Sequence, residues 1–145
     1  MRQEKGFTLL EMLISVTIIS VLVGVSVPIY ESFVRQNDLN LTEYAIVNML
    51  RRAESYARAN NTDNVWSVEI QSTAATLFQG TSFASRNTNY DETYTFPSSV
   101  TPSGITEVQF AKMTALPNTT GTITLTSTTS DAQVITINAK GMVDF

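Results

Sequence analysis

The sequence predicts an α+β protein, with one long N-terminal helix followed by a module of antiparallel strands. The stretch from Phe7 to Tyr30 is apolar and carries a single charged residue, Glu11. From Tyr30 to about residue 60, apolar residues recur at helical spacing. Beyond residue 60, short apolar groups alternate with Thr, Ser and Asn, as is typical of strands and turns. We expect these strands to pack on the amphipathic half of the helix.

The apolar stretch is long enough to cross a membrane, which takes about 20 residues. Arg2 and Lys5 precede it, so the positive-inside rule predicts a cytoplasmic N-terminus and an exported C-terminal module. An ordinary secretory signal has a shorter apolar core and a small-residue cleavage site after it. An ordinary anchor fits the length but gives no reason for Glu11, because an unpaired carboxylate in lipid costs at least a few kcal/mol.

One helix is predicted from about Thr8 to Ala59. Its second half carries an apolar stripe at helical spacing, which consists of Leu39, Ile46, Leu50, Ala53 and Ala57, flanked by Met49 and Tyr56. A break near Asn37–Asn40 is an alternative, because Asn40 followed by Glu43 resembles a capping arrangement. The polar run 60–64 is predicted to end the helix.

Strands are predicted at 65–70, 75–79, 94–96, 107–112, 121–127 and 133–138. The polar segment 81–91 is predicted to be a loop. Lys140 and Gly141 are predicted to form a turn into residues 142–145.

Composition excludes several kinds of chemistry. The chain has no cysteine and no histidine, so disulfides, thiolate metal sites and the commonest general base are missing. We expect neither enzymatic activity nor a metal or cofactor. The net charge of −4 disfavours general attraction to nucleic acid. Arg51, Arg52 and Arg58 lie close together, but with Glu54 among them they are predicted to form a solvated helix face.

The run Gly6-Phe7-Thr8-Leu9-Leu10-Glu11, after a basic leader, resembles the processing motif of type IV prepilins and type II secretion pseudopilins. The resemblance implies a pilin fold and cleavage between Gly6 and Phe7 by a membrane-embedded prepilin peptidase. It also implies methylation of the new N-terminus, which makes Phe7 an N-methylphenylalanine. The implied division is a leader peptide at 1–6, a transmembrane and filament-core helix at 7–30, an amphipathic helix half at 31–60 and a β-rich globular domain at 61–145.

Three further residues gain roles from the resemblance. Glu11 can meet the Phe7 amine of a neighbouring subunit, and such a buried pair works best as a device that sets register. Pro28 removes one backbone hydrogen bond and favours a kink, and Gly24 lowers helix propensity in the same turn. In assembled type IV pili the stretch before this proline is often partly unwound. The alternative is that membrane helices simply tolerate Gly and Pro.

The C-terminal half resembles one branch of the family, the H-type minor pseudopilins and related minor pilins. The resemblance is carried by the segments 50–57, 108–110, 121–125, 134–138 and 140–143. Some relatives bind DNA through arginines in the C-terminal turn. This sequence departs from them, with Met142, Val143 and Asp144 at that place.

The predicted function is a structural subunit, major or minor, of a type IV pilus (fimbrium) or a type II secretion-like filament. The implied partners are other pilin subunits, prepilin peptidase, the inner-membrane assembly platform and, before assembly, membrane lipid. The implied location is the cytoplasmic (inner) membrane before assembly and a cell-surface filament afterwards. One alternative is a minor pilin that acts as a ligand- or DNA-binding tip subunit in adhesion or DNA uptake, although the acidic charge disfavours DNA. Another alternative is a solitary membrane anchor, but such an anchor would gain nothing from a charged residue such as Glu11 in its apolar stretch.

Overall fold

One long helix dominates the N-terminal part of the chain. The computed structural model describes residues 6–59 and 64–145, which form two compact units divided between Val34 and Arg35. The helix, α1, spans Leu9–Arg58, so its predicted bounds are confirmed to within one residue. Of the predicted helix-ending run 60–64, residues 60–63 lie outside the described residues, as do residues 1–5 of the predicted leader.

The alternative break near Asn40 is wrong, because α1 continues through this position. Of the two side chains that suggested a cap, Asn40 accepts a hydrogen bond from Gln133 and Glu43 is buried. The amide Nε2 of Gln133 donates a hydrogen bond of 3.3 Å to Oδ1 of Asn40. The Glu43 side chain is 6% exposed within the core-facing stripe, and this burial raises the pKa of its carboxyl group.

The second unit contains two antiparallel sheets of four strands each, in agreement with the predicted α+β class. The first sheet has the order β3-β2-β1-β5 and the second has the order β4-β6-β7-β8. A short 3-10 helix, Phe83–Ser85, precedes β3. The strands are β1 (Trp66–Ile70), β2 (Ala74–Gln79), β3 (Asn87–Thr95), β4 (Val100–Gly104), β5 (Glu107–Phe110), β6 (Gly121–Ser127), β7 (Ala132–Ile137) and β8 (Val143–Asp144).

Two of these strands correct the sequence prediction, and both lie at the edge of a sheet. The segment 81–91 was predicted to be a loop, but it includes the first part of β3, whose side chains are mostly exposed. An edge strand with solvent on both sides has no apolar alternation to reveal it. The strand β4 was missed because it contains Pro102, which is tolerated at an edge where the missing N–H has no ladder partner.

The core lies where the second half of α1 meets the inner faces of both sheets. The predicted stripe from Leu39 to Ala57 is confirmed, since all five of its members are buried. The sheet residues that meet it alternate along their strands, as expected for one face of a pleated sheet. They are Trp66, Val68, Ile70, Leu77, Val108, Phe110, Ile123, Leu125, Ile135 and Ile137.

Candidate functional site

The first half of α1 presents a long apolar surface. The large apolar side chains between Phe7 and Tyr30 each expose 52% to 79% of their area. By length and composition this helix can cross a membrane. A surface of this kind is stable only in lipid or against other apolar helices.

Four hydroxyl side chains within this apolar stretch donate their hydrogen bonds to the helix itself. The hydroxyls of Ser15, Thr17, Ser20 and Ser26 each donate to the carbonyl oxygen one turn earlier, at 2.7–2.8 Å. Such bonds remove the free donors that would be costly in hydrocarbon. Glu11 differs from these hydroxyl residues, because it is the one residue between Phe7 and Tyr30 that carries a charge.

Glu11 lies at the start of the helix, in its first turn. Its backbone N–H donates to the hydroxyl of Thr8 at 3.3 Å, and the N–H of Met12 donates to the Thr8 carbonyl oxygen at 3.2 Å. Thr8 thus acts as the N-cap, and Glu11 stands three residues later, where a capping box has Glu or Gln. The Thr-x-x-Glu spacing of residues 8–11 is the sequence signal for this helix start, and it was not part of the prediction for Glu11. A carboxylate at this end of a helix is also favoured by the helix dipole.

Gly24 and Pro28 are linked through one backbone group, the carbonyl oxygen of Gly24. In a regular helix the N–H of residue 28 would bond to the carbonyl oxygen of Gly24, but proline has no N–H. Pro28 lies inside α1, and a Cβ atom added at Gly24 would meet no atom within 4 Å among the described residues. Packing among the described residues therefore leaves room for a side chain at Gly24.

The arginines of the second unit are engaged within the protein. Arg52 binds Glu92 of β3 through both terminal nitrogens, which raises the pKa of its guanidinium group further. Arg58 pairs with Glu54 at 2.6 Å, and Arg51 lies over the ring of Phe145 at 5.2 Å from its centroid. These contacts agree with the predicted solvated helix face.

Within residues 6–59 and 64–145, no group of three or more acidic side chains is placed to hold a metal ion.

At the C-terminal turn, Met142 is exposed and Asp144 pairs in register with Thr136 of β7. The turn at Gly141 is confirmed, with its N–H donating to the Asn138 carbonyl oxygen at 3.0 Å.

Comparison with known proteins identifies the N-terminal segment. Residues 1–27 match the family described as the prokaryotic N-terminal methylation motif. No curated protein and no solved structure matches the chain. The chain thus carries the prepilin-type motif of type IV pilins and pseudopilins, which marks a precursor processed by a peptidase. This family consists of structural subunits that are generally not enzymes. The resemblance to the H-type branch stays a prediction.

Proposed function

We propose that this chain is a structural subunit of a type IV pilus or a type II secretion-like filament. The observation that carries the proposal is the exposed apolar half of α1, on a chain whose first 27 residues match the methylation motif. A membrane would cover this surface before assembly, and the same half of neighbouring subunits would cover it in the filament. One segment can then serve as anchor and as filament core in turn.

The processing step follows from where the motif lies. The peptidase cuts between Gly6 and Phe7 on the cytoplasmic side and methylates the amine of Phe7. The six leader residues with Arg2 and Lys5 are lost, and the new amine lies directly before the helix. The apolar half is retained because the cut precedes it. The N-terminus is cytoplasmic before assembly and the second unit is on the opposite side of the membrane.

In the filament, Glu11 pairs with the Phe7 amine of an adjacent subunit. Its position in the first turn of α1 supports this role, because the carboxylate then lies close to the level at which a neighbour's N-terminus enters. Two charges that are costly in an apolar environment become one pair, and the pair sets the axial offset of the two helices. A solitary anchor offers Glu11 no such partner.

Fractionation of cells tests the proposal. The chain is expected in filaments sheared from wild-type cells, and in cells without prepilin peptidase it is expected only in the membrane and still carrying Met1–Gly6. A chain that stays in the membrane of both strains, and never enters the sheared fraction, would be a solitary anchor and would contradict the proposal.

The turn at Gly24 and Pro28 gives a second test. Pro28→Ala restores the backbone bond to the Gly24 carbonyl oxygen, and Gly24→Ala favours the helix by about 1 kcal/mol. If assembly requires partial unwinding here, both variants should reduce the filament yield at equal membrane abundance, Pro28→Ala more strongly. Val27→Ala is the matched control, because it trims an adjacent apolar side chain and keeps Pro28. If both variants gave the wild-type filament yield, this turn would have no role in assembly.

A further inference from the structure

Two carboxylates face each other on the outer face of the first sheet. Glu69 of β1 and Glu107 of β5 are register partners, and side chains in such positions have Cβ atoms about 4.5–5.5 Å apart. They alternate with buried core residues of their strands and so point away from α1. The same row continues through Thr76 of β2 and Thr93 of β3, whose hydroxyl oxygens lie 3.1 Å apart.

The ion pairs Arg86–Asp91 and Arg52–Glu92 on this sheet involve neither Glu69 nor Glu107. On β3, Asp91 shares the outer face with Thr93, but it pairs with Arg86 at 2.7 Å. Arg86 is further held over the ring of Phe83, at 3.7 Å from its centroid. The strand β5 pairs with β1 over its whole length, Glu107–Phe110. Like charges directly opposite on neighbouring strands are destabilising, so the two ionised carboxylates would weaken this pairing.

Burial raises the pKa of Glu69 above its ordinary value of 4.5, and the charge of Glu107 and a hydrogen bond to its carboxyl group raise it further. A single proton between two such groups removes one charge and supplies the donor of a carboxyl–carboxylate hydrogen bond. Burial and the neighbouring Glu107 therefore both favour the protonated form of Glu69.

We propose that the Glu69 carboxyl group takes up a proton as the pH falls and donates it in a hydrogen bond to Glu107, and that this uptake tightens the pairing of edge strand β5 with β1. The strand β5 leads into the loop 111–117, in which the N–H of Met113 donates to the Ala57 carbonyl oxygen at 2.9 Å. Protonation therefore also steadies the contact that covers the C-terminal end of α1. The inference goes beyond filament assembly and does not depend on it.

The direction of the pH dependence follows from linkage. Because the pKa of Glu69 is higher in the folded chain than in the unfolded chain, the folded chain binds the proton more tightly. The stabilisation is complete below the ordinary pKa of 4.5 and is lost as the pH rises through the raised value. The buried Glu43 contributes in the same direction. The contribution of Glu69 and Glu107 is therefore the difference in the pH dependence of stability between the wild type and a variant of the pair.

The full chain in detergent micelles allows the test. Thermal unfolding is followed by near-ultraviolet circular dichroism, and amide hydrogen exchange of residues 105–112 is measured by mass spectrometry, at about pH 5 and about pH 7.5 and corrected for intrinsic exchange. In the wild type, the melting temperature and the protection of β5 should both be higher at the acidic pH. Glu107→Gln mimics the protonated acid, so it should raise the melting temperature at neutral pH by about 3 °C and reduce the pH dependence.

Glu69→Gln should do the same, and the double variant should gain nothing beyond either single one, because one neutral partner already removes the repulsion. Glu107 is on the half-buried edge strand, so its variant still reports if Glu69→Gln fails to fold. Glu92→Gln is the matched control on the same sheet; it loses the Arg52 pair and should show no gain at neutral pH.

An unchanged pH dependence in Glu107→Gln, or single-variant gains in melting temperature that simply add, would overturn the proposed protonation of Glu69 beside Glu107. A melting temperature that rises when calcium chloride is added at neutral pH, in the wild type but not in Glu107→Gln, would assign the pair to a cation and overturn it as well.

Discussion

Glu11→Ala is expected to keep the chain in the membrane while excluding it from filaments. Membrane insertion should be unchanged or improved, because the substitution removes a charge from the apolar stretch. Processing should continue, because the cut is at Gly6. Assembly should fail because the Phe7 amine of the neighbour is left unpaired in an apolar environment. Losing one partner of a buried pair costs about 3–5 kcal/mol, which corresponds to a hundredfold or greater loss of subunit affinity.

Glu11→Gln separates this role from the local role of Glu11 at the start of the helix. Glutamine also suits the third position of a capping box, so this variant keeps the helix start and removes only the charge. If Glu11 pairs with an amine, Gln should assemble as poorly as Ala. If it only supports the helix start beside Thr8, Gln should restore assembly. The measurement is the fraction of processed chain in sheared filaments relative to membranes.

Equal incorporation of wild type, Glu11→Ala and Glu11→Gln would remove the reason for treating Glu11 as an assembly residue. A minor subunit that is needed only at one end of the filament would show a smaller defect than a major one. The size of the loss therefore also bears on which kind of subunit this is.

Phe110→Ala is expected to remove much of the stability of the second unit. Phe110, the last residue of β5, is fully buried in the core that also contains the second half of α1, and it is the register partner of Trp66. Removing such a ring costs about 3–5 kcal/mol, out of a total that is about 5–15 kcal/mol for a domain. A chain that starts at Arg35 should unfold cooperatively in urea, and the variant should lower its midpoint strongly.

Leu116→Ala is the control for Phe110→Ala, since Leu116 is half exposed in the loop after β5. It removes a similar kind of side chain without opening a cavity, so it should cost less than about 1 kcal/mol. Equal shifts for the two variants would contradict the assignment of Phe110 to the core. A fragment from Arg35 without a cooperative transition would show that the second unit depends on the first.

The helix and the core strands were predictable because burial leaves a periodic pattern. The apolar stripe from Leu39 to Ala57 has helical spacing, and segments such as Gly121–Ser127 alternate strictly, so the positions of these elements followed from the sequence. The edge strands β3 and β4 did not, since solvent on both sides or a proline leaves no such pattern.

The candidate sites divide in the same way. Gly6, Phe7 and Glu11 could be proposed from the sequence because the motif is local, contiguous and followed by an apolar stretch in which a charge stands out. The Glu69–Glu107 pair could not be found, because it depends on the register of strands far apart in sequence. The same holds for the Arg52–Glu92 pair, which joins the helix to a strand that the sequence did not reveal.

Assembly of the filament from the processed helix can be tested on the N-terminus of the chain recovered from sheared filaments. Intact-mass and fragment-ion measurements should find a chain that begins at Phe7, lacks Met1–Gly6 and carries one methyl group on its amine, with Glu11 and the whole apolar half retained. A filament form that still begins at Met1, or one cut after the apolar stretch, would contradict an account in which the processed helix builds the filament.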